Sequence, residues 1–270
     1  MNLESTVKLK SGNKMPVLAL GTWELTKNTA DIVAEALTIG YTMIDTSRDY
    51  GTQPGIGEGI KKSGVGRNEF YLTTKVEEDD DAYEATKKDL AELDLEYADL
   101  MLIHRPPNQG SGEKLWEGLI RAKTEGLARD IGVSNYPVEK IEALIKDSGE
   151  IPAVNQIEWT PFGYDTEMFE YCQNMNIIIQ AYSPLTRGER LDDETLVDIA
   201  NMHGKTPAQV LIRWNLQLGI VPILKANSPD HLHDNIDVFD FKLSRNDMAR
   251  LNDLNEEYSA LGQKPAYMRS

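Results

Sequence analysis

Residues 70–104 read FYLTTKVEEDDDAYEATKKDLAELDLEYADLMLIH. Two short apolar runs, Phe70–Lys75 and Asp99–His104, flank an amphipathic stretch at Ala82–Leu93. Neither apolar run alternates cleanly between apolar and polar residues, as is typical of strands buried on both faces. A strand, a helix and a second strand of this kind form a βαβ unit, which predicts two parallel strands in one sheet.

The same alternation of strands and helices continues along the chain. The other six predicted strands are Val17–Leu20, Thr42–Asp45, Asp130–Ser134, Ala153–Glu158, Ile177–Tyr182 and Val221–Lys225. The other predicted helices are Asp31–Ile39, Gly57–Lys62, Glu113–Thr124, Val138–Lys146, Glu167–Asn174, Thr195–His203, Pro207–Leu218 and finally Ser244–Asn255. Eight units without a break in composition favour one α/β domain, residues 1–270, folded as a single (β/α)8 TIM barrel. An N-terminal β-hairpin, Thr6–Leu9 with Lys14–Pro16, is expected to cap the barrel floor.

The composition excludes several classes of protein. With 28 Lys and Arg against 44 Asp and Glu, the chain of 270 residues carries a formal charge of −16. Such an acidic chain argues against a nucleic-acid or anionic-membrane partner. The single cysteine, Cys172, excludes an intrachain disulfide and a cysteine-based zinc site. Because no secretory signal and no apolar run of roughly 18 residues is present, we expect a soluble, cytoplasmic protein, most simply a monomer.

Four polar residues at the predicted strand ends suggest a reaction. Asp45, Lys75 and His104 end three successive strands, and Tyr50 follows Asp45 in the adjoining loop. The carboxyl ends of barrel strands meet at one rim, so these side chains are expected to converge. A lysine ammonium lowers the pKa of a nearby phenol, which is ordinarily about 10. Tyr50 would then protonate a carbonyl oxygen, to which His104 donates a hydrogen bond. Since no side chain supplies hydride, a nicotinamide cofactor is implied.

Five motifs in series resemble the aldo-keto reductase family over about residues 5–258. They are GYTMIDTSRDYG at 40–51, Thr74-Lys75, LIHRP at 102–106, IGVSN at 131–135 and AYSPL at 181–185. The resemblance implies NAD(P)H-dependent reduction of a small-molecule aldehyde or ketone, with hydride from C4 of the nicotinamide. It also implies a catalytic tetrad of Asp45, Tyr50, Lys75 and His104, in which Tyr50 is the general acid.

The resemblance extends to the cofactor and substrate contacts. It implies that Ser134, Asn135 and Gln156 hold the nicotinamide carboxamide, that Tyr182 stacks on the ring, and that Trp23 forms a wall of the substrate pocket. Ser183 and Leu185 would contact the pyrophosphate. At the adenosine end, the corresponding residues are Lys225, Ala226, His231, Asp234 and Asn235.

Two parts of the sequence depart from the family pattern. Ala226 stands where Ser is usual, and His231 stands where Arg is usual. Histidine cannot reproduce the bidentate phosphate contact of a guanidinium. We therefore expect NADPH as cofactor, with NADH left open as a second. Arg105 stands where many relatives carry Trp, and is expected to place a cation at the substrate mouth that favours anionic carbonyl compounds.

Other interpretations fit parts of the same pattern. A cofactor-binding redox sensor or regulatory subunit with slow turnover would share the motifs. Asp45 and Lys75 also fit a buried structural ion pair, and Trp23 fits ordinary core packing. The acidic run at 77–81 is interpreted as a solvated loop leading into a helix, not as a metal cluster. His231 and His233 suggest a metal-dependent amidohydrolase, but only two further histidines remain to complete such a site. We assign no metal.

The cofactor-site departures predict weak discrimination between NADPH and NADH. We expect the ratio of their kcat/KM values at pH 7.5 to stay below about 100, which corresponds to about 2.7 kcal/mol of selectivity. Steady-state kinetics with both cofactors and one aldehyde measure this ratio. A larger value would show that Lys225 and its neighbours select the phosphate without the guanidinium.

Overall fold

The computed structural model describes residues 1–25, 27–263 and 265–268. Its strands are β1 (Thr6–Lys8), β2 (Lys14–Pro16), β3 (Ala19–Gly21), β4 (Met43–Asp45), β5 (Tyr71–Val76), β6 (Ala98–Ile103), β7 (Ala128–Ser134), β8 (Val154–Glu158), β9 (Ile178–Tyr182) and β10 (Val221–Lys225). Its α-helices are α1 (Thr29–Thr38), α2 (Gln53–Ser63), α3 (Ala82–Leu93), α4 (Glu113–Thr124), α5 (Val138–Ser148), α6 (Thr166–Met175), α7 (Glu194–His203), α8 (Pro207–Leu218), α9 (Pro229–Ile236) and α10 (Arg245–Asn252).

Strands β3 to β10 form a closed barrel in which neighbouring strands are parallel. The barrel closes where β10 pairs with β3, with Ile223 opposite Ala19 and Lys225 opposite Gly21. The predicted (β/α)8 barrel is therefore confirmed. Since all eight strands run in one direction, their carboxyl ends share one rim.

The N-terminal hairpin closes the opposite end of the barrel. Strands β1 and β2 pair antiparallel, and the hairpin buries Leu9 and Met15. Both side chains belong to one apolar cluster with residues that open the barrel strands, such as Ala19 and Met43. The predicted cap on the barrel floor is therefore observed.

Two glycines let α2 pack close to its neighbours. A Cβ at Gly57 would lie 2.6 Å from the Leu93 carbonyl oxygen of α3, and one at Gly59 would lie 2.7 Å from the Ala30 carbonyl oxygen of α1. The helix begins at Gln53, four residues before the predicted start. Pro54 fits in this first turn, because the backbone N–H that proline lacks would have no partner within the helix there. The tight packing fixes the position of the loop that precedes α2.

One helix of the structure is not predicted from the sequence, and another is shorter than predicted. The helix that is not predicted is α9. Its start has the same N-cap and proline signal as the predicted α8: Ser228 caps α9 and Pro229 is its first residue, as Thr206 and Pro207 are for α8. The predicted last helix, Ser244–Asn255, is shorter in the structure: Ser244 is the N-cap of α10, and the helix ends at Asn252. Among the described residues, no helix combines the length and apolar character needed to cross a bilayer.

The polypeptide after α10 lies against a glycine in the loop after β8. A Cβ at Gly163 would lie 1.8 Å from the Tyr258 carbonyl oxygen. We expect Gly163→Ala to lower the free energy of unfolding by about 1–3 kcal/mol, as measured by urea denaturation, because backbone must move. Gly66→Ala is the control, since its added Cβ would meet only the flexible ends of the Asn68 and Glu69 side chains. Equal losses in the two variants would contradict this packing.

Candidate active site

The four predicted tetrad residues converge at the carboxyl rim of the barrel. Asp45 ends β4, Lys75 lies near the end of β5, and His104 follows β6 directly. Tyr50 ends a 3₁₀ turn after β4 and brings its ring 5.7 Å from the His104 ring, edge to face. The Lys75 ammonium lies 5.1 Å from the centroid of the Tyr50 ring.

Lys75 is a buried cation with defined partners. Its Nζ donates to Asp45 Oδ1 at 2.7 Å and to the Thr46 carbonyl oxygen at 2.8 Å. Burial lowers the pKa of Lys75, but the Asp45 charge and hydrogen bonds with Asp45 and Tyr50 raise it overall, so the group stays an ammonium. Two of its three protons are held by Asp45 and Thr46, which leaves one for the Tyr50 hydroxyl. The Thr46 carbonyl was not foreseen from the sequence.

The predicted lowering of the Tyr50 pKa is wrong. Burial of the phenol raises the pKa of Tyr50, and the charges of Asp45 and Glu77 add to the rise. Lys75 lowers the same pKa, but by less than burial raises it. Desolvation, which disfavours the anionic phenolate, outweighs the stabilisation that the neighbouring ammonium provides. Tyr50 is therefore a neutral phenol with a proton to give.

Gln156 supports Asp45 from inside the barrel. Its Nε2 donates to Asp45 Oδ2 at 2.7 Å and to Gln180 Oε1 at 3.0 Å. Both amide protons of Gln156 are thus engaged within the barrel. The expected contact of Gln156 with the nicotinamide carboxamide would have to use the amide oxygen of Gln156. Gln180 was missed, although it is a polar residue inside an otherwise apolar predicted strand.

The other two expected carboxamide residues, Ser134 and Asn135, form one hydrogen-bonded group with Tyr182 beside His104. Tyr182 donates its hydroxyl proton to Asn135 Oδ1 at 2.8 Å. Asn135 Nδ2 donates to Ser134 Oγ at 3.0 Å and to the His104 carbonyl oxygen at 3.2 Å. Asn135 has a positive φ of 63°, a conformation that Asn tolerates better than most residues. Amide and hydroxyl groups next to a flat tyrosine ring fit a nicotinamide carboxamide.

The loop after β9 combines left-handed backbone with positive charge. Ser183, Thr186 and Arg187 have φ values of 48°, 52° and 53°. Turns of this kind can aim successive N–H groups at an anion. Arg187 was not among the residues predicted from the sequence. It lies two residues beyond Leu185, the expected pyrophosphate contact. Its side chain adds a cation at this end of the site, so the loop fits a dinucleotide phosphate.

Trp23 lies at the barrel mouth between two cations. The Arg187 guanidinium is 4.5 Å from the Trp23 ring, and Lys225 Nζ is 5.6 Å from the same ring. Trp23 is 39% exposed, which contradicts the core-packing interpretation. Lys225 also contacts Glu24 Oε2 at 3.3 Å. The mouth is therefore aromatic and flanked by positive charge.

The expected adenosine residues lie at the end of β10 and on α9. Ala226 and Asn235 are buried, whereas His231 and Asp234 are exposed on the helix. His231 lies in the first turn of α9, where its backbone N–H donates to Oγ of the N-cap residue Ser228 at 3.3 Å. His231 and His233 are two positions apart, so they point to different sides of α9 and do not form a ligand pair.

Arg105 is surrounded by acidic side chains. It contacts Glu77 Oε2 at 3.2 Å, Asp49 Oδ2 at 3.4 Å and Glu78 Oε2 at 3.5 Å. Three carboxylates more than balance one guanidinium. The expected free cation that attracts anionic substrates is therefore absent here, and the rim around Arg105 is net acidic.

The acidic run at 77–81 is more structured than the predicted solvated loop. Glu77 is partly buried and accepts from His104 Nδ1, while Asp80 binds Arg48 at 2.7 Å. Asp49, Glu77 and His104 also bring one possible ligand atom each within 4.8 Å of one another. Because the Arg105 guanidinium already contacts both carboxylates, we assign no metal site to this group.

Comparison with known proteins agrees with this geometry. Residues 17–256 match the model of the aldo/keto reductase family. The glyoxal reductase of Bacillus subtilis is 40% identical over 262 residues, which cover 95% of each chain. An aldo-keto reductase of a Mycobacterium species is 42% identical over 257 residues, covering 93% of this chain and 91% of that one.

A solved structure shares the same architecture. The aldo-keto reductase of Bombyx mori, crystallised in complex with NADP, superposes with a TM-score of 0.89 at 32% identity, over 98% of this chain and 99% of that one. The fold and site define a barrel oxidoreductase that uses a nicotinamide cofactor. The chain belongs to the aldo-keto reductase family.

The buried pair of Asp45 and Lys75 predicts a characteristic stability pattern. We expect Asp45→Asn to lower the free energy of unfolding by about 3–5 kcal/mol, because it leaves a buried ammonium without its counter-charge. The double variant Asp45→Asn with Lys75→Met should regain part of that loss, since it buries no charge. Urea denaturation of the two single variants and the double variant measures the coupling. Strictly additive losses would contradict it.

Proposed function

We propose that the protein reduces small aldehydes or ketones to alcohols with NADPH, and that Tyr50 is the general acid. The single observation that carries this proposal is the position of Lys75. Its ammonium is held by Asp45 Oδ1 and the Thr46 carbonyl oxygen, and it lies beside the Tyr50 ring. A buried structural ion pair would not require a phenol and an imidazole at the same point.

Burial keeps the proton on Tyr50 until it is needed. As the phenol donates to a carbonyl oxygen, a phenolate forms, and the fixed charge of Lys75 stabilises it. Asp45 and Gln156 keep the ammonium in place throughout. A neutral acid with a preorganised cation next to it favours proton transfer in the transition state without ionising beforehand.

The cofactor would lie across the rim from Tyr182 to α9. When bound, the reduced nicotinamide supplies the hydride. Ser134, Asn135 and Tyr182 would hold its carboxamide and ring, and the loop from Ser183 to Leu185, with Arg187, would hold the pyrophosphate. Lys225 would face the adenosine phosphate, with Ala226, His231, Asp234 and Asn235 nearby. The NADP in the Bombyx mori structure supports NADPH as the cofactor.

The substrate is proposed to be a small uncharged carbonyl compound. Trp23, His104 and Arg105 would line its entrance. The three carboxylates around Arg105 disfavour a negatively charged substrate by repulsion. A glyoxal reductase among the relatives supports a dicarbonyl such as methylglyoxal as a test substrate.

Replacing the acid tests the proposal. We expect Tyr50→Phe to lower kcat at least about 100-fold with methylglyoxal and NADPH, followed at 340 nm, because general acid catalysis commonly contributes 10²–10⁴-fold. Cofactor binding, measured by fluorescence titration, should remain nearly unchanged. Tyr83→Phe is the matched control, since that hydroxyl is exposed and donates to Glu125. Near-normal turnover in Tyr50→Phe would refute the role of Tyr50.

The same assay separates an enzyme from a cofactor sensor on this barrel. Rapid oxidation of NADPH by the wild-type protein with methylglyoxal or 4-nitrobenzaldehyde indicates an enzyme. Fluorescence quenching of bound NADPH without turnover across a panel of aldehydes would indicate the sensor and would overturn the proposal.

A further inference from the structure

Glu77 holds the His104 imidazole by its Nδ1 nitrogen. His104 Nδ1 lies 2.8 Å from Glu77 Oε1 and 3.0 Å from Oε2. Ser47 Oγ donates to the same carboxylate at 2.9 Å, and the Glu77 backbone N–H donates to Asp80 Oδ2 at 2.9 Å. Asp80 is in turn bound by Arg48. The carboxylate is therefore fixed by its own backbone and by Ser47.

Glu77 is ionised in this arrangement. Partial burial alone would raise the pKa of Glu77, but hydrogen bonds from His104 and Ser47 and the charge of Arg105 lower it overall. A carboxylate accepts hydrogen bonds and cannot donate them. His104 Nδ1 must therefore carry a proton.

This proton has a consequence for the other ring nitrogen. In a neutral imidazole only one nitrogen carries hydrogen, so a protonated Nδ1 leaves Nε2 with a lone pair. Among the residues that the structure describes, none hydrogen-bonds Nε2. A lone pair repels a carbonyl oxygen, and Nε2 can donate to it only when His104 is an imidazolium.

We propose that Glu77 is a positioning residue that holds the Nδ1–H of His104, sets which ring nitrogen carries the proton, and stabilises the imidazolium that donates from Nε2 to the substrate oxygen. This inference rests on the proposed carbonyl reduction for its kinetic consequence. The contact between Glu77 and His104 stands without it.

The charges around His104 set the direction of the pH dependence. Burial lowers the pKa of His104, and Lys75 and Arg105 lower it further, while Glu77 raises it. Asp49 adds a second carboxylate close to the ring, and the ring of Tyr50 packs against its edge. Because the net direction is downward, His104 is mostly neutral at pH 7 and gains its second proton as the pH falls. Carbonyl reduction should therefore accelerate toward acid pH.

Nitrogen-15 NMR of the wild-type protein tests the contact directly. Long-range ¹H–¹⁵N spectra distinguish the two neutral tautomers of histidine, and the chain has only 4 histidines to assign. At pH 8 we expect His104 to carry its proton on Nδ1, and Glu77→Gln to lower its pKa, because the stabilising charge is gone. A proton on Nε2 in the wild-type protein would overturn the proposal, whether or not the protein turns over.

Kinetics with two matched variants test the consequence. Asp79→Asn removes a neighbouring carboxylate that is exposed and, among the described residues, contacts neither Arg105 nor His104. We expect Glu77→Gln to lower kcat/KM for methylglyoxal by about tenfold or more at pH 6, because it removes a charge-assisted hydrogen bond, and to move the acid rise to lower pH. The kcat/KM of Asp79→Asn should stay within about twofold of the wild-type value.

The outcomes separate this inference from the proposed function. Identical pH profiles for the wild-type, Glu77→Gln and Asp79→Asn proteins would overturn the role of Glu77 while leaving reduction intact. No turnover in the wild-type protein would refute the proposed function, and the NMR tautomer would still decide whether Glu77 positions His104. Thermal denaturation of Glu77→Gln distinguishes a lost hydrogen bond from a loss of folding.

Discussion

The ammonium of Lys75, buried at the mouth of the barrel, is the constraint on which the site depends. A buried charge is costly unless it is paired and hydrogen-bonded. Asp45 and the Thr46 carbonyl meet that requirement, and Gln156 holds the second oxygen of Asp45. These groups lie on β5, on β8 and at the end of β4, so the buried, paired ammonium can form only when the barrel is closed.

The closed barrel also explains why the phenol remains protonated. The packing that buries Lys75 also partly buries Tyr50. Desolvation disfavours the charged form of each group, so it lowers the pKa of Lys75 and raises the pKa of Tyr50. The Asp45 charge preserves the ammonium and at the same time opposes the phenolate. The pair therefore stores a proton on Tyr50 and provides the cation that stabilises its departure.

The loop after β5 adds a second layer of control. Two of its carboxylates have basic partners on other loops. Glu77 contacts both His104 and Arg105, and Asp80 binds Arg48. One loop thus sets both the protonation of the imidazole and the acidic rim at the mouth. This control comes from loop side chains carried on the barrel and not from the barrel strands themselves.

The sequence by itself determined the order of strands and helices and the identity of the rim residues. Apolar runs such as Phe70–Lys75 are local signals, and helices α3, α4 and α8 begin and end where their periodicity predicts. It also placed Asp45, Lys75, His104 and Tyr50 together, because parallel strands share one rim.

Only the tertiary structure decided what those residues contact and how they ionise. Gln156 bonds Asp45, Glu77 bonds His104, and Arg105 meets three carboxylates, each through side chains far apart in sequence. The pKa of Tyr50 rises instead of falling because burial is a property of the packed barrel. Desolvation and side-chain pairing depend on three-dimensional distance, which a linear pattern does not contain.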